Sequence, residues 1–230
     1  MNMIHLWELG GQEDRRYSVF SWRTRWALRH KGLQFESHPI LQIDKATIAF
    51  SGGTTVPVIR DNDIVVRDSW QIADYLESAY PRSPSLFGGA QGRALCFFFN
   101  QWTDRSVMPI AFSVLACDAI RIQDPADRAH FAATTARFTR SDAAELKIRQ
   151  PENLERLARA VAPARAALRD QAFLGGAAPC YADYTIASVY QWARIVSPVN
   201  PLHDDAILRA WFDTMLDLHD GFARHTAAFR

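Results

Sequence analysis

Three short segments carry groups that could bind or activate a small polar molecule. Ser18 lies at or just before the start of a helical pattern running from Tyr17 to Lys31, where successive N–H groups have no partner within the helix. A serine there can serve as an N-cap, and the same hydroxyl can be offered to an anion such as a thiolate. A hydrogen bond to a charged group contributes about 1.5–3 kcal/mol. That lowers a thiol pKa of about 8.5 by roughly one to two units. A hydroxyl is too weak a base to remove the proton itself, so Ser18 would hold sulfur that is already ionised. Val56-Pro57 precedes a run of β-branched residues. Only about 5–6% of X–Pro bonds in folded proteins are cis, so a trans bond at a sheet edge is the plain expectation. A cis bond would turn the Val56 N–H and C=O off the sheet, where an extended peptide could pair with them as an added strand. Asp68-Ser69 opens the next helix, with Gln71 three residues on as a capping-box partner. The same pair could receive an amino-acid-like group, the helix start and Ser69 taking its carboxylate and Asp68 its ammonium.

Other reactive side chains carry less. The three cysteines, Cys96, Cys117 and Cys180, form an odd set without Cys-x-x-Cys, which excludes a disulfide framework and a cysteine zinc site and suits a reducing cytoplasm. Cys180 begins a helical segment, where a thiol pKa can fall, and is read as a buried, inert thiol. The seven histidines include no His-x-x-x-His pair, so no metal is expected. Phe97-Phe98-Phe99 with Trp102, Met108 and Phe112 could line a pocket for a flat apolar substrate, although helix packing accounts for such residues equally well. Phe97 and Phe98 cannot face the same way on a helix, so part of the run is structural.

These groups need a scaffold. Ile4 to Trp7 reads as a strand, Tyr17 to Lys31 as a helix ended by Gly32, and Leu33 to Pro39 as extended. Asp44 to Phe50 suggests one or two helical turns. Val56–Arg60 and Ile64–Val66 around Asp61-Asn62-Asp63 form a hairpin, and a helix from Asp68-Ser69 stops before Pro81. The order β-α-β-α-β-β-α predicts a mixed sheet flanked by helices. Residues 81–92 carry two Pro and three Gly and read as a linker. Beyond it every periodic segment is helical: Leu95 to Ser106 with a kink at Pro109, Leu154 to Leu168, and Ile207 to Leu216. Residues 120–150 show little patterning, and substrate choice could lie there. The chain therefore divides into an α/β domain (1–80), the linker, and an all-helical domain (93–230). Twenty-six Lys and Arg against 25 Asp and Glu give a net charge of +1, which argues against a nucleic-acid binder. No run approaches the roughly 18 apolar residues of a membrane span. The first eight residues lack a basic stretch followed by an apolar one, so no secretory signal is expected.

The order and spacing of Ser18, Val56-Pro57 and Asp68-Ser69 resemble the N-terminal half of a glutathione transferase. Phe173-Leu174-Gly175-Gly176 followed by Ala182-Asp183-Tyr184 resembles the buried helix start of that family's second domain. Four stretches are similar to the bacterial β-aryl etherase branch and its fungal relatives. They are Trp22-Arg23-Thr24 with Ala27 to Gly32, Val56-Pro57-Val58-Ile59, Asp68 to Leu76, and Asp217-Leu218-His219-Asp220-Gly221. The resemblance implies a thioredoxin-like domain followed by a helical bundle, glutathione as co-substrate, and a cytoplasmic homodimer acting on a small aromatic electrophile. It implies that Ser18 activates the glutathione sulfur, that Val56 pairs with the cysteinyl backbone next to Pro57, and that Asp68 and Ser69 hold the γ-glutamyl end. The glycyl carboxylate would fall near Gln42 to Lys45. Trp102, Met108 and Phe112 become candidates for the electrophile pocket. Val19 stands where many relatives have proline, Tyr17 and Ser21 compete with Ser18 as sulfur ligand, and Cys180 replaces the usual Ser or Thr cap. Cleavage of β-aryl ethers is one implied reaction. General conjugation, isomerisation, or non-catalytic binding of glutathione conjugates or aromatic ligands are the alternatives.

Overall fold

In the computed structural model, which describes residues 3–229, the first strand carries two different faces. Along β1 (Ile4–Leu9), Ile4 and Leu6 point into the main core. Trp7 points the other way, into a small cluster with Ile40, Ile48 and Val58. The chain crosses through α1 (Val19–His30) and turns at Gly32, whose φ of +69° is the left-handed value that favours glycine. It returns as β2 (Phe35–Ile40), parallel to β1 with Ile4 opposite Phe35. The helical turns expected near Asp44–Phe50 form a 3-10 segment, Ala46–Ser51. The hairpin forms from β3 (Val58–Asp61) and β4 (Ile64–Arg67), with Asn62 at positive φ in its turn. Strand order is β2-β1-β3-β4, with β3 antiparallel to both neighbours. Helix α2 (Ser69–Ala79) then packs beside α1.

The Pro/Gly-rich segment is pinned rather than loose. Leu86 and Phe87 are buried, and the Leu86 carbonyl accepts a 2.8 Å hydrogen bond from the Tyr181 N–H. Beyond it the described chain is helical. Instead of a kink at Pro109, α3 (Ala90–Trp102) runs through a wide π turn, Thr103–Val107, into α4 (Met108–Ala119). Proline lacks the N–H and crowds the preceding turn, and the widened turn takes up the mismatch. Helices α5 (Pro125–Thr139) and α6 (Ala143–Ile148) occupy the unpatterned stretch. The run from Leu154 to Leu168 is split into α7 (Gln150–Ala160) and α8 (Ala162–Ala167), because Pro163 cannot continue the helix. Helix α9 (Tyr181–Val196) is buried along its whole length. Helix α10 (Ala206–Gly221) leaves helical geometry at Leu218–Asp220.

One hydrophobic core joins the two halves, running from Ile4 to Ala223. Trp26 of α1 stacks on Tyr184 of α9 with nearly parallel planes. Buried Arg23 of α1 donates to Asn100, Asp104 and Ser188 across the same boundary. No described helix is long and apolar enough to cross a membrane.

Candidate functional site

Two adjoining cavities open where the C-terminal ends of β1 and β2 meet the helical half. The first, of about 490 Å³, is lined by Ser18, Phe20, Gln42, Lys45, Thr54, Thr55, Val56, Pro57, Asp68 and Thr134 together with Leu9, Ile40 and Ile48. The second, of about 460 Å³, shares Phe20 and Thr134 with it and adds Asp104, Met108, Pro109, Phe112, Arg137 and Phe138.

Ser18 is the N-cap of α1: its Oγ accepts a 3.2 Å hydrogen bond from the Ser21 N–H. The hydroxyl proton has no acceptor among the described residues, so it is available to the cavity. Val56-Pro57 is a cis peptide. The Val56 backbone makes no hydrogen bond among the described residues, whereas the next carbonyl, of Pro57, accepts from the Asp68 N–H at 3.2 Å. Asp68 holds a positive φ of 70° and caps α2, its Oδ1 accepting from Trp70 and Gln71. Its other carboxylate oxygen has no partner among the described residues. Ser69 is buried beside it and does not line the cavity.

Tyr17 and Ser21 stand apart from this group. Both are buried and neither lines the cavity. The Tyr17 hydroxyl accepts from Gln42 at 3.1 Å, and burial raises its pKa well above the ordinary phenol value. Trp102 lies outside the second cavity, packed edge-on against Phe99, whereas Met108 and Phe112 line it. Trp102 sits at the end of α3 before the π turn, and the wide turn directs the α4 side chains to the cleft instead.

Several lining groups, among them Phe20, Thr134, Arg137 and Phe138, were not named from the sequence. Lys45 belongs to the Gln42–Lys45 segment expected near the glycyl carboxylate, and it lines the first cavity without an ion-pair partner among the described residues. The segment leading to it is held from the helical half, because buried Asp127 of α5 accepts from the N–H groups of Gln42 (2.7 Å) and Ile43 (3.0 Å). Thr134, Arg137 and Phe138 also come from α5, whose only start signal was Asp124-Pro125, an N-cap followed by a proline at the first helical position. Asp104 is not a free acid: Arg23 and Asn100 both donate to it. Arg137 has no such partner among the described residues. The first cavity therefore presents an alcohol donor, free backbone groups, a carboxylate and an ammonium, a set matched to a short zwitterionic peptide with an anionic side chain. The second presents mostly carbon.

Residues 17–79 match the model of the glutathione S-transferase N-terminal domain, and residues 94–217 match that of the glutathione S-transferase C-terminal domain. The chain belongs to the glutathione S-transferase family. Among solved structures, a glutathione S-transferase of Ceriporiopsis subvermispora in complex with glutathione superposes with a TM-score of 0.84 at 20% identity, over 95% of this chain and 96% of that one. A glutathione transferase of Phanerochaete chrysosporium gives 0.76 at 25% identity, over 96% and 93%. Glutathione S-transferase 1 of Dianthus caryophyllus is 33% identical over 105 residues, 40% of this chain and 44% of that protein. The matched stretch thus spans less than half the length of that curated relative.

Proposed function

We propose that this protein is a glutathione transferase in which Ser18 holds the glutathione sulfur as a thiolate against an aromatic electrophile. The observation that carries the reading is the position of the Ser18 hydroxyl, lining the first cavity at the N-terminus of α1 with its proton unclaimed. Donation from Ser18, aided by the helix dipole, favours the anion and lowers the bound thiol pKa by roughly one to two units. Val56 offers its backbone to the cysteinyl residue, Asp68 its free oxygen to the γ-glutamyl ammonium, and Lys45 its charge to the glycyl carboxylate. Ser69, buried behind Asp68, serves the γ-glutamyl end only indirectly, by fixing the start of α2 through its carbonyl, which accepts from the Tyr181 hydroxyl.

The electrophile occupies the second cavity, against Phe20, Met108, Phe112 and Phe138. For a β-aryl ether, glutathione supplies the sulfur that bonds to the carbon beside the ketone while the carbon–oxygen bond breaks and a phenolate leaves with the electron pair. Arg137 supports this reading, as an unpaired cation among the described residues on a mostly apolar wall, where it can stabilise the departing phenolate until that takes a proton. Proximity across the shared Phe20–Thr134 boundary supplies much of the rate. Exposed Ile64 and Val65 on β4 and exposed Leu95, Phe97 and Phe98 on α3 support a homodimer, which light-scattering mass would test.

The deciding experiment is incubation with glutathione and a panel of β-aryl ethers and aryl halides, following phenol or halide release. Phenol release with formation of a glutathione thioether is the expected result. Halide release alone would replace ether cleavage by general conjugation, and glutathione binding without a shifted thiol pKa would make the protein a non-catalytic binder.

A further inference from the structure

We propose that His5, Glu36 and His38 form a binding site for a zinc-class divalent transition-metal ion on the outer face of the sheet, away from the two cavities. Side chains two apart on a strand share a face, which places Glu36 and His38 together on β2. The parallel register sets His5 of β1 opposite Glu36. His5 Nδ1 lies 2.9 Å from His38 Nε2 and 3.3 Å from Glu36 Oε2, and the latter two atoms are 3.8 Å apart. The circle through these three atoms has a radius of about 2.0 Å, close to the roughly 2.0–2.2 Å of zinc–imidazole and zinc–carboxylate bonds. A cation near its centre would therefore reach all three donors, with water completing the shell.

The surroundings hold the donors in place. His38 stacks on both His5 and Trp7, and Trp7 is in turn braced by the edge of Phe50. Donors on paired strands are positioned more rigidly than donors on loops. Neither lysine nor arginine neutralises Glu36 among the described residues. Arg60, paired with His5 on β3, rests its guanidinium over the Trp7 and Phe50 rings. All three donors are partly or well exposed, so an ion can enter from solvent. Two imidazoles with one carboxylate suit zinc, copper or nickel and disfavour magnesium or calcium, which prefer all-oxygen shells. His5 and Leu9 stand at opposite ends of β1, about 13 Å apart at strand spacing, so this site is distinct from the cavity that Leu9 lines.

The expectation of no metal rested on His-x-x-x-His spacing, which detects ligands on one helix and misses a set assembled across two strands. The test is equilibrium dialysis of the untagged full chain against Zn²⁺, with glutathione omitted because its thiol binds zinc. One equivalent of zinc should bind, Mg²⁺ should not compete, and His5→Gln, His38→Gln and the exposed Glu36→Gln should each weaken binding by at least about tenfold, the scale on which even outer partners act. Unchanged thermal melting of the metal-free variants would show that the fold is intact. X-ray absorption at the zinc edge of the wild-type protein should show nitrogen and oxygen neighbours with imidazole scattering. Undiminished zinc in the His5→Gln/His38→Gln variant, or sulfur in the zinc shell, would overturn the proposal and move the ion to the cysteines.

Discussion

At the start of α1 a single hydroxyl serves two ends: its oxygen caps the helix, and its proton, claimed by no described residue, is available to the cavity that Ser18 lines. Removing it therefore has two separable effects. Ser18→Ala should cost about 1 kcal/mol of stability through the lost cap, read from denaturant unfolding. It should also raise the pKa of bound glutathione by roughly one to two units and slow turnover, with little change in glutathione affinity. Ultraviolet thiolate absorbance of the complex across a pH series checks the second effect, and an unchanged curve would remove Ser18 from the mechanism. Lys45→Ala should act oppositely, raising KM for glutathione by about tenfold, the equivalent of roughly 1.4 kcal/mol, with kcat preserved. Arg137→Met should slow release of poor phenolate leaving groups more than good ones, so a leaving-group series would show a steeper dependence in the variant.

Asp183 illustrates what an element demands of one side chain. It is fully buried at the start of α9 and accepts from the N–H groups of Leu174, Gly175 and Cys180 and from the Trp211 indole. Replacement by alanine leaves these donors unpaired, so Asp183→Ala should lose at least about 4 kcal/mol, measured by urea unfolding. The sequence pointed to this position through the resemblance of Phe173–Gly176 and Ala182–Tyr184 to the buried helix start of the family's second domain. The elements carrying Ser18, Val56-Pro57 and Asp68-Ser69 were legible too, because apolar spacing and punctuating Gly, Pro and Asx residues mark them strongly. Helix α5 was not, because its buried positions include Asp127 and Thr135 beside Phe131, and so much polarity blurs an apolar stripe. The Asp127 hold on Gln42 and Ile43 joins residues 85 and 84 positions apart, a relation no local pattern encodes. Trp102 was misplaced for a related reason: spacing along a helix assumes constant pitch, and the π turn breaks that assumption.

Across the whole molecule, the boundary between the two halves couples stability to pH. His30 of α1 accepts a hydrogen bond from Tyr184 at Nδ1 and donates from Nε2 to the Ser85 carbonyl. Burial lowers its pKa. His219, whose ring lies 6.3 Å from that of His30, is pushed down to about 4, chiefly by burial and then by the charges of His30 and Arg29. An unfolded histidine titrates near 6.5, so between about pH 6.5 and 4 the unfolded chain binds the proton and the folded one does not. Stability is then complete above that window and is lost on acidification through it, by about 2 kcal/mol for His219 at pH 5. Thermal melting should drop by roughly 4–8 °C on that account. His219→Asn, which tolerates the left-handed backbone at this position, should flatten the dependence.

The wide turn at Thr103–Val107 also bears on how the proposed transferase would change its substrates over generations. Each residue of an α-helix advances the side-chain direction by about 100°. Five residues at the wide winding turn the chain about as far as four at ordinary winding. Returning all five to α geometry, as a replacement at Pro109 would permit, would therefore swing Met108 and Phe112 together by nearly one residue's turn, with the first cavity untouched. The proline that holds this turn open thus sets the bearing of the whole α4 wall of the acceptor chamber.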